Sequence, residues 1–177
     1  MVIWITGLSG AGKTTLSNEL EKKLRPSLRH LVTVDGDIVR DLFGGDLSHR
    51  VEDRIVQINR LQKLAKLLST QGLVVIVAAL YAHPDLLKWN RDNIDEYFEI
   101  YLDAPLPLVM ERDAKGLYAA ARSGEMQDVV GMDIPWNPPD AADITIDCSL
   151  GESPTAMAGR VIEAIPELRL ALEGLPR

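Results

Sequence analysis

The chain has one cysteine, Cys148, among its 177 residues. A lone thiol cannot close an internal disulfide, so a disulfide-stapled scaffold is excluded and a reducing compartment is expected. Long apolar runs are also missing. No stretch approaches the roughly 18 to 20 residues needed to cross a bilayer. The apolar start, Met1 to Thr6, lacks a basic leader and runs straight into glycines, so it reads as a first strand rather than a signal peptide. Positive charge is scarce, with 19 Lys and Arg against 26 Asp and Glu and a formal charge of −7. That balance argues against a surface that coats nucleic acid, yet leaves room for a local basic pocket around a small phosphate ligand. There is no internal repeat and no low-complexity segment. A cytoplasmic protein with neither a nucleic-acid nor a membrane partner is expected.

What is present suits one folded unit over 1–177. Hydrophobic residues make up 46% and charged residues 25%, close to the globular average, and the length suffices to bury a core. Short apolar runs at Val2–Thr6, Leu31–Val34, Val74–Leu80, Phe98–Leu102 and Ile144–Ile146 read as strands. Being apolar on both faces, they predict a parallel sheet of about five strands covered on both sides. Lys13–Leu24 and Val51–Gln71 carry helical stripes, the second stopped by Gly72, and a last helix begins at Ser153. The tail from Glu163 to Arg177 reads as helix end and fray. Strand and helix alternate as in a doubly wound α/β fold. The segment from about 113 to 140 has Gly, Pro and charge but little strand signal, and reads as a mobile lid.

Gly7-Leu8-Ser9-Gly10-Ala11-Gly12-Lys13-Thr14 fills every fixed position of G-x-x-x-x-G-K-[ST], between a predicted strand and a predicted helix. Glycines let successive N–H groups turn inward, and the helix N-terminus adds positive potential. Lys13 is expected to bridge the β- and γ-phosphates of a nucleoside triphosphate, and Thr14 to meet Mg²⁺. Asp35-Gly36-Asp37 ends the second predicted strand, where ligands gather in open parallel sheets. A carboxylate there can orient an alcohol for phosphoryl transfer, or simply cap a helix. Asp37 is the stronger candidate; Asp35 has a structural reading beside the functional one.

With these residues in hand, the chain resembles the adenylylsulfate kinases, from Ile3 to about Ile146. The resemblance rests on Gly7–Thr15, on Asp35-Gly36-Asp37 with Arg40, and on Asp53-Arg54. It also rests on Asp103–Leu106, on the lid strings Arg112–Tyr118 and Ala121–Glu125, and on Gly131–Trp136. It implies a three-layer P-loop kinase fold with a lid, ATP and Mg²⁺ as cofactors, a small nucleotide acceptor, and a homodimer. ATP would lie on Gly7, Ser9, Gly10, Ala11, Gly12, Lys13, Thr14 and Thr15, with Arg112 from the lid. Asp37 would be the catalytic base or, with Thr14, the carboxylate beside Mg²⁺; Lys13 would share in catalysis. Asp35, Arg40, His49, Arg54, Gln57 and Tyr81 would face the acceptor, and Lys115 and Leu117 would close over it.

The departures from the family cluster at that acceptor side. The family's two adenine-stacking phenylalanines are replaced, at ungapped positions, by His49 and by the Val129-Val130 segment. The Asn and Arg that follow Asp-Arg become Gln57 and Asn59, and the stretch after the third strand becomes Leu80-Tyr81-Ala82-His83-Pro84. Base stacking contributes about 1–3 kcal/mol per base. Either Tyr81, His49 or Trp136 supplies a new platform for adenine, or the acceptor is another 5′-modified nucleotide. A related group of such enzymes phosphorylates cytidine diphosphoramidate at its ribose 3′-hydroxyl, and a pyrimidine needs a smaller pocket. A nucleotide-binding module without kinase activity is the rival from another class. His83 reads as surface or site, His30 as surface, Trp4 and Trp89 as packing, and Cys148 as packing.

Overall fold

The apolar runs settle into five parallel strands, the central ones buried on both faces and the two edge strands only in part. They are β1 Val2–Thr6, β2 Leu31–Asp35, β3 Val74–Ala79, β4 Tyr97–Asp103 and β5 Ile144–Asp147, in the order β2-β3-β1-β4-β5. Every residue of β1 and β3 is buried, as expected for central strands between two helical layers. This computed structural model describes residues 1–113 and 115–174. Ala114 of the lid string and the last three residues of the tail lie outside them.

The helices are α1 Lys13–Leu24, α2 Gly36–Leu42, α3 Val51–Thr70, α4 Pro84–Asn93, α5 Leu106–Arg112, α6 Leu117–Arg122, α7 Pro154–Ala164 and α8 Pro166–Glu173. One layer groups α1 with α7 and α8; the other groups α3 with α2 and α4. Among the described residues no helix is long and apolar enough to cross a membrane.

The strands and the long helices fall within a residue or so of their sequence positions. Four short helices, α2, α4, α5 and α6, were not legible, because one or two turns cannot establish a period of 3.6. Their start signals are local. Asp35 caps α2 and His83 caps α4, and Pro84 occupies the first turn of α4. The tail corrects the reading of a fraying end: Pro166 ends one helix and opens another, and Ile165 and Leu168 are fully buried. The segment from 113 to 140 divides as well. Val129, Val130 and Ile134 belong to the core, and so does Tyr118 of α6, with Leu117 and Ala121 packed against it, while the residues from Ser123 to Gln127 are exposed.

Replacing Leu168 with Ala should cost about 2–5 kcal/mol of unfolding free energy in urea titration. Leu172→Ala, at a side chain 42% exposed, should cost less than about 1 kcal/mol. Equal, small effects would mean that α8 does not dock.

Candidate active site

The phosphate-loop motif and the Asp35–Asp37 turn do not stand on neighbouring strands, because β3 lies between β1 and β2. Helix α1 closes the gap by packing against β1, β3 and β2. Its first turn brings the Thr14 hydroxyl to Asp35, where Oγ1 donates to Oδ2 at 2.9 Å.

In the loop itself, Gly10 and Gly12 take left-handed conformations, with φ of +79° and +105°, which L side chains rarely adopt. At Gly7 a Cβ would stand 2.8 Å from the Leu102 carbonyl oxygen, so the loop is pressed against β4. The Lys13 ammonium curls over this loop and donates to the Gly7 carbonyl at 2.9 Å and the Leu8 carbonyl at 2.8 Å. Desolvation lowers its pKa to about 8; Asp37 opposes this, Lys115 adds to it, and Asp35 opposes it.

The Asp35 carboxylate serves two partners. Oδ1 accepts the Asp37 N–H at 2.8 Å, capping α2, while Oδ2 holds Thr14. Asp37, on the first turn of α2, points the other way and accepts the Lys115 ammonium at 2.5 Å. Burial pushes the Asp37 carboxyl up, but the Lys115 hydrogen bond and the charges of Lys115, Lys13 and Arg40 outweigh it and hold it below the usual range. Lys115 is correspondingly raised by that hydrogen bond. Asp37 is therefore anionic at neutral pH, well suited to orienting a hydroxyl and weak as a net proton acceptor.

A single cavity of about 650 Å³ opens between these groups. Ser9, Gly10, Gly12, Lys13, Thr14 and Thr15 form its phosphate-loop wall, with Arg112 and Leu117 beside them from the lid side. Asp35, Asp37 and Lys115 form its middle, and Arg40, His49, Arg54, Gln57 and Tyr81 its far end. Of the residues singled out in the sequence, Gly7 and Ala11 stand behind this surface. Gly7 spends its carbonyl on Lys13, and Ala11 is buried with its amide donating to the Leu8 carbonyl at 3.1 Å.

The far end is basic and only partly satisfied. Arg40 donates to the Leu47 and Ser48 carbonyls at 3.0 and 2.9 Å, tying down the segment between α2 and α3. Arg54 donates from Nη2 to the Asp128 carbonyl at 2.7 Å, while its buried Nε has no partner among the described residues. Burial and Arg40 both lower the Arg54 pKa, against Asp128, Tyr81 and Asp133, but a guanidinium stays charged. Gln57 donates to the Gly36 carbonyl at 2.8 Å and leaves a buried Oε1 unpartnered. His49 sits at the rim, where desolvation and then Arg40 and Arg54 lower its pKa, so it is neutral at pH 7. Burial raises the Tyr81 phenol.

The aromatic replacements divide. His49 and Tyr81 line the cavity, but Trp136 does not. It packs on Tyr101 with ring centroids 6.2 Å apart and lines a separate cleft beside Leu8 and Pro135. Val129 and Val130 are core residues. His83 is a helix cap, its Nδ1 accepting the Asp85 N–H at 3.3 Å. His30 is exposed, Trp4 fully buried, Trp89 half-buried and Cys148 buried. Met126 and Asp128 also line the cavity and went unnoticed in the sequence, where nothing distinguishes them from other lid residues. Tyr118 was visible only as a letter of the lid string; its hydroxyl donates to the Ser9 carbonyl at 3.0 Å.

Among the described residues no group of three or more His, Cys, Asp or Glu side chains is arranged to hold a metal unaided. The Thr14 hydroxyl and the Asp35 carboxylate fit Mg²⁺, a hard cation that completes its shell with phosphate oxygens and water.

The family model described as adenylylsulphate kinase matches residues 1–147. An adenylyl-sulfate kinase of Rippkaea orientalis is 43% identical over 139 residues, covering 78% of this chain and 77% of that protein. One from Halothermothrix orenii is 36% identical over 167 residues, covering 94% and 90%. The solved structure of the Mycobacterium tuberculosis APS kinase CysC in complex with AMPPNP and APS superposes with a TM-score of 0.84 at 33% identity, covering 92% of this chain and 95% of that one. With a five-stranded α/β fold, a phosphate loop and a matched sequence throughout, this chain belongs to the adenylylsulfate kinase family of phosphotransferases, which act on a hydroxyl group.

Proposed function

We propose that the protein transfers the γ-phosphate of ATP to the ribose 3′-hydroxyl of adenylylsulfate or a closely similar 5′-modified nucleotide. The observation that carries this reading is the single cavity, which has a phosphate loop at one end, two arginines at the other and a carboxylate between. ATP lies along Ser9–Thr15 with Arg112 beside it. The inward N–H groups and Lys13 take the phosphate charge. Thr14 and Asp35 would hold Mg²⁺, which would neutralise charge on the transferring phosphate. This assigns to Asp35 the metal-side role that the sequence offered to Asp37.

Arg40 and Arg54 face the anionic 5′ end of the acceptor, where guanidinium pairs match phosphate oxygens. Gln57 and Tyr81 supply polar contacts, and His49 supplies a neutral aromatic face. Asp37 orients the attacking hydroxyl, and Lys115 moves from Asp37 toward the phosphates as the acceptor arrives. Transfer is direct and in line, so positioning and charge stabilisation provide most of the rate. Leu117 and the lid keep water, the competing acceptor, out.

One observation favours a second reading of the acceptor base. Neither Val129, Val130 nor Trp136 offers a face to the cavity, so an adenine would stack on His49 or Tyr81 alone. A pyrimidine nucleotide with a modified 5′ diphosphate is the alternative. ADP release measured across adenylylsulfate, cytidine diphosphate derivatives and other 5′-modified nucleotides separates the two. Release with adenylylsulfate supports the first reading, and release only with a pyrimidine supports the second. Release with neither leaves a binding module and overturns both.

Asp37→Asn should lower kcat by about 10²-fold or more while the affinity for an ATP analogue stays within about threefold. Near-normal turnover would remove Asp37 from the mechanism. Lys13 gives a pH signature. Because its pKa is about 8 in the free protein, bound phosphate should draw about half a proton onto it at pH 8. At pH 6.5 it is already charged and takes up almost none. Calorimetry of ATP-analogue binding in buffers of differing ionisation heat reads this directly; no uptake at pH 8 would mean that Lys13 is charged beforehand.

A further inference from the structure

The outer arm of the phosphate loop is clasped by the lid side. Gly10 is pressed against α5, where a Cβ would stand 3.3 Å from the Val109 carbonyl oxygen. The preceding residue is held by Tyr118 of α6. This side chain is 1% exposed, and its hydroxyl donates to the Ser9 carbonyl at 3.0 Å. Asp113 fixes α6 in turn, its two carboxylate oxygens accepting the N–H groups of Tyr118 at 3.2 Å and Ala119 at 2.9 Å.

A trans peptide is planar, with its C=O and N–H pointing in opposite directions. The carbonyl of Ser9 and the N–H of Gly10 share one peptide. Holding that carbonyl toward Tyr118 turns the Gly10 N–H away from the lid helix. Among the described residues no backbone acceptor takes that N–H, and Gly10 lines the cavity. Glycine takes this left-handed φ without a Cβ penalty and takes others as readily, so the residue type alone does not fix the direction of its amide. Something must therefore choose the orientation in which the amide faces a phosphate.

We infer that Tyr118 is a positioning residue for the nucleotide: by anchoring the Ser9 carbonyl it aims the Gly10 amide into the phosphate cradle. It touches neither substrate and acts only through the Ser9–Gly10 peptide. Because the same side chain belongs to α6, the seating of the lid and the readiness of the phosphate loop become one event. The inference rests on the reading that this loop holds ATP, and is independent of the acceptor.

The test is Tyr118→Phe, which keeps the ring in the core and removes only the hydroxyl. Binding of AMPPNP with Mg²⁺ is measured by calorimetry, and the Gly10 amide proton is followed by NMR. The dissociation constant should rise about 5- to 10-fold, the worth of one hydrogen bond. The downfield movement of the Gly10 amide on binding should shrink. A merely structural tyrosine would lower the melting temperature and leave both the affinity and the Gly10 signal at wild-type values, which would overturn the inference, as would equal binding with no thermal change. If the wild type itself failed to bind AMPPNP, the reading of the loop would fall instead. Tyr118→Leu, which also removes the ring, should lower the melting temperature and weaken AMPPNP no less than Tyr118→Phe; unimpaired binding by this variant would likewise overturn the inference.

Discussion

The hydrogen bond from Thr14 to Asp35 joins two parts of the chain that the sheet itself keeps apart. With β3 between β1 and β2, the phosphate loop and the acidic turn face each other only because α1 leans across the intervening strand. Asp35 anchors the far side of this contact by capping α2, and so sets the direction in which Asp37 leaves that helix. On the proposed function, losing this contact would loosen the alignment of the acidic turn with the phosphate loop. Proximity of this kind is where most of the rate of phosphoryl transfer originates.

Charge in the cavity is arranged to be rearranged. Lys13 sits on loop carbonyls and Lys115 on Asp37, and neither is held by a buried ion pair. On the proposed function, each would exchange its present partner for a phosphate oxygen. The Lys115–Asp37 pair is largely exposed, at 70% and 72% of the two side chains, so screening by water keeps it weak enough to open. The arginines at the far end are bound to backbone carbonyls, which fixes their direction without neutralising them.

The sheet and the phosphate loop were legible in the sequence because their signals are local and redundant. Runs of Val and Ile mark the strands, most fully the central ones buried on both faces, and a fixed motif between strand and helix marks the loop. The short helices α2 and α4 carried only capping signals, α5 and α6 had no side chain capping at their N-cap residues, and α8 was hidden behind a proline that also reads as an ending. Within the site, residue types were legible and directions were not. Asp35 and Asp37 are two positions apart, yet one turns toward Thr14 and the other toward Lys115, a choice made by the cap of α2. Trp136 could serve as an acceptor wall on paper; its indole packs on Tyr101 because the segment after Val130 runs back over β4.

The division of labour between the two carboxylates is the central claim, and a crystal structure with an ATP analogue, Mg²⁺ and adenylylsulfate tests it most directly. The account predicts Mg²⁺ held on the Thr14 and Asp35 side, with an Asp37 carboxylate oxygen about 3 Å from the acceptor's ribose hydroxyl. A metal seated on Asp37, with Asp35 turned away and the hydroxyl out of reach of either, would contradict it.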